Sequence, residues 1–364
     1  MTDSQLAPED LSAPSSRRWL ALGVLLAALA IGLIVAASDA SEMVQAIASV
    51  RPAMLLIPLI CTAASYSAMA ASYQRIAATA GLDLGFGKML KITLASTAAN
   101  YVFSTGGLSG LALRSYFFSR QHGLSSGTAV SISLAQTFLT NFVLLAFLFW
   151  GLLNLLVDGQ LHGSSEVIVA LLFVVSVVIS CAAVAVVSSR PMRLRLFALL
   201  MRIPNLLSRF TKGRGTVIRA RLEFFELELN EGVDFLISCG TKLIPPLAYI
   251  GLDWFLMLGT LYAAFYCVDR PVPMHIVVIG FSTGVFLSLI NLVPGGLGIM
   301  EGSMAAVFAA FGVPLEMAVV ATVIFRVSYY VLPLVITLAF FRQVLFANRP
   351  NRSFAEGRSE PVIR

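Results

Sequence analysis

The sequence predicts an all-α polytopic membrane protein with about six full spans plus two re-entrant helical hairpins in an inverted repeat. Three observations predict it. Hydrophobic residues fill 58% of the 364 positions and charged ones only 12%, against roughly 25% charged in soluble domains. Apolar runs of about 20 residues, enough to cross a hydrocarbon core of about 30 Å, recur along nearly the whole length. Two of those runs are broken by glycine-rich stretches that share a spacing.

Residues 1–18 are polar, carry Pro8, Pro14 and several serines, and end in Arg17 and Arg18, as expected of a disordered cytoplasmic tail. Trp19–Ala37 exceeds the 7–15 apolar residues of a signal peptide and reads as the first span. Pro52–Ala78 reads as the second, with Lys88 and Lys91 following on the inner side. Gly127–Val157 then crosses outward to "DGQLHGSSE", which has no Lys or Arg, and Val167–Ser188 crosses back. From Arg190 to Arg221 nine basic residues and no acidic one follow, which places this loop in the cytoplasm. Apolar residues interleave the charges in "MRLRLFALLMRIPNLL", so the loop is either a helix lying on anionic lipid or a basic segment that only fixes topology. Cys239–Val268 and Leu315–Phe341 complete the spans, and the tail 344–364 returns to the cytoplasm. One transmembrane domain thus covers 19–343: repeat one at about 52–157, the basic loop at 190–238 and repeat two at 239–343.

The broken runs are the two hairpins. The first, from about Phe86, stops at "STGGLSG" and resumes to "SRQHG"; Lys88, Lys91 and Arg120 at both ends put both ends inside. The second runs from His275 into "INLVPGGLGIMEGSM" and on to "FGVP", with no Lys or Arg between Arg270 and Arg326, so both ends belong outside. Gly106–Val130 and Gly295–Val319 align without a gap at six identities in 25 positions. Opposite charge bias on related segments predicts copies of opposite orientation.

Depth then singles out side chains. Glu301 lies eleven residues before Gly312 and Arg326 eleven after Leu315; at 1.5 Å per residue both sit roughly 16 Å below the outer turn, able to pair. The pair is either structural or part of a headgroup site, since intramembrane charges are functional by default. Gly295, Gly296 and Gly298 allow close backbone approach, and a helix starting after Gly298 offers N–H groups to an anion. Arg114 lies at a comparable depth in the first hairpin, opposite Gln136, as a second anion contact or as a snorkelling side chain. Asp253 is the remaining deep charge: a proton or cation site, or a partner for one of the arginines.

Composition also excludes classes. The net charge of +6 is concentrated in the inner loop and does not indicate nucleic acid. Cys61, Cys181, Cys239 and Cys267 fall in apolar runs without metal or disulfide spacing and read as small core residues, and His122, His162 and His275 are far apart and adjacent to loops. Neither a metal nor another cofactor is expected, and no nucleophile–base constellation or phosphate-binding loop points to an enzyme.

The motifs "PGGLGIMEG" at 294–302 and "FRVSYYVLPL" at 325–334 resemble those of the transmembrane region of lysylphosphatidylglycerol synthetases, a family that also has stand-alone members. Gly106, Gly107, Arg114, Gly123 and Ser125 match its first repeat more loosely, and Gln136-Thr137 stands where the family usually carries an acidic-basic pair. The resemblance, over most of 50–345, implies lipid translocation without the soluble domain that makes the lipid. The expectation is a lipid flippase or lipid-transport protein of a prokaryotic cell (inner) membrane, both termini cytoplasmic, acting on an anionic phospholipid or polyprenyl-linked lipid through Arg114, Glu301, Arg326 and the three glycines, with Asp253 as a coupling residue. The alternatives are a non-transporting partner presenting lipid to a separate synthase or glycosyltransferase, and a proton-coupled carrier of a small solute; the oligomeric state is left open, a homodimer being one option.

Overall fold

The computed structural model describes residues 40–103, 108–158, 189–200, 233–289 and 298–346, with isolated helical positions at 171–181 and 227–231. The expected first span, most of Val167–Ser188, the basic loop beyond Leu200, both tails and both hairpin tips lie outside the described residues.

All regular structure among the described residues is helical. Helix α1 (Ala40–Ala48) precedes a 3₁₀ turn, Pro52–Leu55, that feeds α2 (Leu56–Thr79). The first hairpin is α3 (Phe86–Phe103) and α4 (Leu108–Tyr116), the latter continuing into a π turn at Phe117–Gln121; α5 (Ser126–Asp158) follows. Helix α6 (Arg190–Leu200) begins the basic loop. A second 3₁₀ turn, Gly240–Leu243, feeds α7 (Ile244–Cys267). The second hairpin is α8 (Met274–Leu289) and α9 (Ile299–Ala310), and the last span is α10 (Leu315–Arg326), a π turn at Val327–Val331 and α11 (Leu332–Phe346). Four helices among the described residues are long and apolar enough to span a bilayer: Pro52–Thr79, Gly127–Gly151, Val233–Cys267 and Leu315–Phe340.

Local chemistry sets the helix ends. Pro52 starts the first 3₁₀ turn, where its missing N–H is no loss, and Gly81 at φ 81° closes α2 by turning Leu82 N–H back to the Ala77 carbonyl at 3.0 Å. The hairpins end alike. Gly123 at φ 73° lets Leu124 N–H reach Phe118 O, and Gly312 at φ 80° lets Val313 N–H reach Phe308 O.

Within each hairpin the arms run antiparallel at close range. Ser109 Oγ donates to Ala99 O at 3.0 Å, Gly110 N–H to Asn100 Oδ1 at 2.6 Å and Arg114 Nη1 to Ser96 Oγ at 3.3 Å, so rising numbers on α4 meet falling numbers on α3. A Cβ on Gly110 would stand 2.5 Å from both Ser96 O and Asn100 Nδ2, which is why only glycine fits at this crossing. In the second hairpin Gly280 faces the Phe308 ring and Gly284 faces Met304. Small residues at such crossings let membrane helices gain dispersion contacts where water cannot drive association.

The most extensive helix–helix interface is between α2 and α7, and it too is antiparallel. Cys61 lies beside Gly259, Ser65 beside Asp253, and Ser72 donates to the Pro246 carbonyl at 3.2 Å. An offset of 188 residues carries the first 3₁₀ turn onto the second and α2 onto α7, each pair equal in length. Two apolar cores result, one per hairpin: Tyr73, Met89, Phe117, Phe118 and Ile132 around the first, and Phe147, Trp254, Phe281, Phe308 and Phe325 around the second. Of the cysteines, Cys239 and Cys267 are buried, but Cys61 is only half-buried and Cys181 is exposed. Those last two therefore depart from the core positions expected, because an apolar residue in a membrane span can equally face lipid.

Candidate functional site

Helix α9 opens at Gly298, whose φ of 82° turns the chain into the helix, and Glu301 in the first turn folds back so that its Oε2 accepts the Gly298 N–H at 2.8 Å. The carboxylate itself thus occupies the positive end of α9, where the sequence suggested room for an anion. Its other oxygen, Oε1, lies 2.9 Å from Arg326 Nε at the end of α10. The N–H is not aimed at that oxygen, so the contact is an ion pair rather than a formed hydrogen bond. Both side chains are largely buried, at 14% and 9% exposure.

Around this pair the guanidinium of Arg326 stacks 4.3 Å above the Tyr330 ring and Nη1 reaches Met300 Sδ at 3.7 Å. Tyr330 donates to the same sulfur and packs at 4.7 Å against Tyr101, on the last turn of α3. The site of the second hairpin therefore touches the tip-proximal turn of the first. Gly295 and Gly296 lie outside the described residues.

Arg114 does not snorkel: it is 4% exposed, its guanidinium 4.4 Å over the Tyr73 ring of α2. Among the described residues its only hydrogen-bond partner is Ser96, and no acceptor reaches Nε. Gln136, expected opposite it, instead accepts from Ser72 Oγ at 2.8 Å and ties α5 to α2. A buried cation held by an aromatic face and one hydroxyl retains unused donor capacity, which suits an incoming anion. On the neighbouring face of α3 and α4 an apolar groove of about 570 Å³, walled by Ala95, Ala98, Val102, Leu113 and Leu338, runs beside α11.

Asp253, 5% exposed on α7, pairs with neither arginine among the described residues. It accepts hydrogen bonds from Ser65 Oγ and, at 3.2 Å, from Tyr329 OH; Ser65 and Tyr329 lie 2.9 Å apart. Sequence reasoning assigned no role to Tyr73, Ser96, Ser65, Tyr329 or Tyr330, although the last two stand in the motif at 325–334. For Ser65 the sequence comes within one residue: the repeat's offset of 189, carried towards the N-terminus, brings it to Trp254, and only the helix boundaries give the offset of 188 that matches it to Asp253. The others are ordinary membrane-helix residues until packing brings them to a charge.

The family model described as the lysylphosphatidylglycerol synthase TM region matches residues 20–337. A relative from Methanothermobacter thermautotrophicus, described as a UPF0104 membrane protein, is 22% identical over 329 residues, covering 89% of this chain and 92% of its own length.

Proposed function

The chain belongs to the lysylphosphatidylglycerol synthase transmembrane-region family, a multi-spanning membrane protein, and from that premise we propose that it moves an anionic phospholipid or polyprenyl-linked lipid between leaflets. The observation that carries this reading is Arg114: a buried guanidinium with an unused donor, on a helix whose Ala112, Leu113 and Tyr116 line an apolar groove. The headgroup would engage Arg114 and the Arg326–Glu301 pair, and an acyl or prenyl chain would lie in the groove. Gly295 and Gly296 would supply backbone N–H groups to the same headgroup, the Gly298 N–H being taken by Glu301.

Alternating access needs two halves that can exchange roles. The antiparallel α2–α7 interface and the 188-residue offset support an inverted repeat, each hairpin entering from one face. In this reading the protein acts without catalysing a covalent step, in a prokaryotic cell membrane with both termini inside.

The test is leaflet exchange of labelled phosphatidylglycerol and labelled polyprenyl phosphate in proteoliposomes. Acceleration by the wild type that is lost in the Arg114→Gln variant and in a double Glu301→Gln, Arg326→Gln variant is expected. Wild-type vesicles no faster than empty ones would overturn the reading.

A second reading is favoured by α6, whose Arg190 and Arg195 are exposed on a helix of the basic loop: a partner that presents lipid to a separate synthase or glycosyltransferase. Charge reversal on α6 that leaves lipid exchange intact but removes a co-purifying enzyme would favour it.

A further inference from the structure

The ion pair and Arg114 leave Asp253 without a role. Taking a carboxylate out of water is costly unless a cation or several donors compensate, and a carboxylate so placed readily alternates between charged and neutral forms. Asp253 is met only by hydroxyls among the described residues: Ser65 from α2 and Tyr329 from the π turn. Tyr66, Tyr73, Tyr329 and Tyr330 are the tyrosines within electrostatic reach of its charge.

Among the described residues, the elements packed on α7 bring no neutralising cation to this level. On α2 the other titratable groups are Cys61 and, towards the inner end, Arg75; α5 has only Asp158, at its end, and α8 only His275, at its start. On α10 Glu316 is in the first turn and Arg326, in the last, is engaged by Glu301. Lys242 lies in the 3₁₀ turn before α7, more than two helical turns from Asp253.

What Asp253 touches is the second half of the argument. Tyr329 belongs to the π turn that follows Arg326 directly and also contains Tyr330, which carries the Arg326 guanidinium on its face. Tyr66 donates to the Tyr329 carbonyl at 3.2 Å, and the ring of Tyr330, next to Tyr329, packs against Tyr101 near the tip of the first hairpin. A change at Asp253 is therefore one contact from the last span's π turn and two from the other hairpin. Single π turns inside α-helices are rare and recur at functional sites.

We propose that Asp253 is a proton-binding site that couples lipid movement to the proton gradient by switching the Ser65–Asp253–Tyr329 contact. This rests on the translocation reading for its output but not for the proton site itself. Ionised, the carboxylate accepts both hydroxyl hydrogens and holds the π turn to α2 and α7. A proton from the water of one face adds to a carboxylate oxygen, forming one O–H bond; Oδ1, which both hydroxyls meet, then loses its charge and holds them more weakly. That releases the π turn, and release of the proton to the opposite face restores it.

The experiment has two arms on the full chain in vesicles of phosphatidylethanolamine and phosphatidylglycerol. In the first, infrared difference spectra are recorded across pH. A carboxylic C=O stretch that appears on acidification, vanishes in Asp253→Asn, and shifts in frequency in Ser65→Ala and Tyr329→Phe is expected; a band indifferent to all three variants overturns the proton site. In the second, exchange of headgroup-labelled phosphatidylglycerol is followed with an imposed pH gradient and after its collapse by an ionophore. A severalfold response to the gradient, lost in Asp253→Asn and restored in Asp253→Glu, is expected. Wild-type exchange equally fast without the gradient overturns coupling while leaving translocation standing. Absence of exchange under all conditions overturns translocation, and with it coupling, while the infrared arm still decides the proton site.

Discussion

Ser65 and Asp253 stand 188 residues apart, at equivalent positions of two 24-residue helices, and are in hydrogen-bond contact with each other. When two antiparallel helices of equal length cross near mid-length, residues at the same position along each become counterparts across the contact. Here one counterpart is a neutral hydroxyl and the other a carboxylate, so the central contact is polar and asymmetric.

That crossing can be trapped. A Cβ at Gly259 would lie 3.9 Å from Cys61 Sγ, near enough for a disulfide after a small adjustment. Gly259→Cys is expected to cross-link to Cys61 under mild oxidation, seen by mass spectrometry of linked peptides, and Cys61→Ala should abolish the link. A parallel α2–α7 pair could not give that product.

Removing one member of a buried ion pair leaves the other charge uncompensated. Glu301→Gln and Arg326→Gln are each expected to cost about 3–5 kcal/mol, and the double variant distinctly less than their total. Thermal unfolding in detergent over the full cycle measures this; additive losses would show the two side chains to be energetically independent. Native mass spectrometry of the same variants reports whether a co-purifying anionic lipid is lost with the pair.

The first hairpin depends on one missing methyl. Gly110→Ala would drive a Cβ into the Ser96 carbonyl and Asn100, with an expected cost of about 1–3 kcal/mol. Gly251, whose Cβ would meet nothing within 4 Å, is the control: Gly251→Ala should be neutral or stabilising by up to about 1 kcal/mol. Equal melting temperatures for the two variants would contradict the close approach of α3 and α4.

Not every short ion pair matters. Arg51 Nη2 lies 2.6 Å from Asp269 Oδ2, but both side chains are more than half exposed, and such pairs contribute at most about 1 kcal/mol. Arg51→Ala is expected to leave the melting temperature nearly unchanged, because the Arg51 N–H to Cys267 O bond at 2.8 Å survives the substitution. A large loss would mean that the side chain holds more than its partner carboxylate.

The sequence by itself determined what depends on position along the chain. Hydropathy and the rise per residue placed α2, α5, α7 and the last span, and brought out Glu301 and Arg326 as able to pair, as they do. Only the tertiary structure decided what depends on azimuth and neighbours. It buried Arg114 against Tyr73 rather than letting it snorkel, gave Gln136 to Ser72, turned Glu301 back onto its own helix N-terminus, and surrounded Asp253 with hydroxyls rather than an arginine. The physical reason is that depth is fixed by local helix geometry, whereas a side chain's partner is fixed by how separate helices rotate and cross. Those rotations are set by small residues and aromatic faces many positions apart, whose individual types say little until the helices meet.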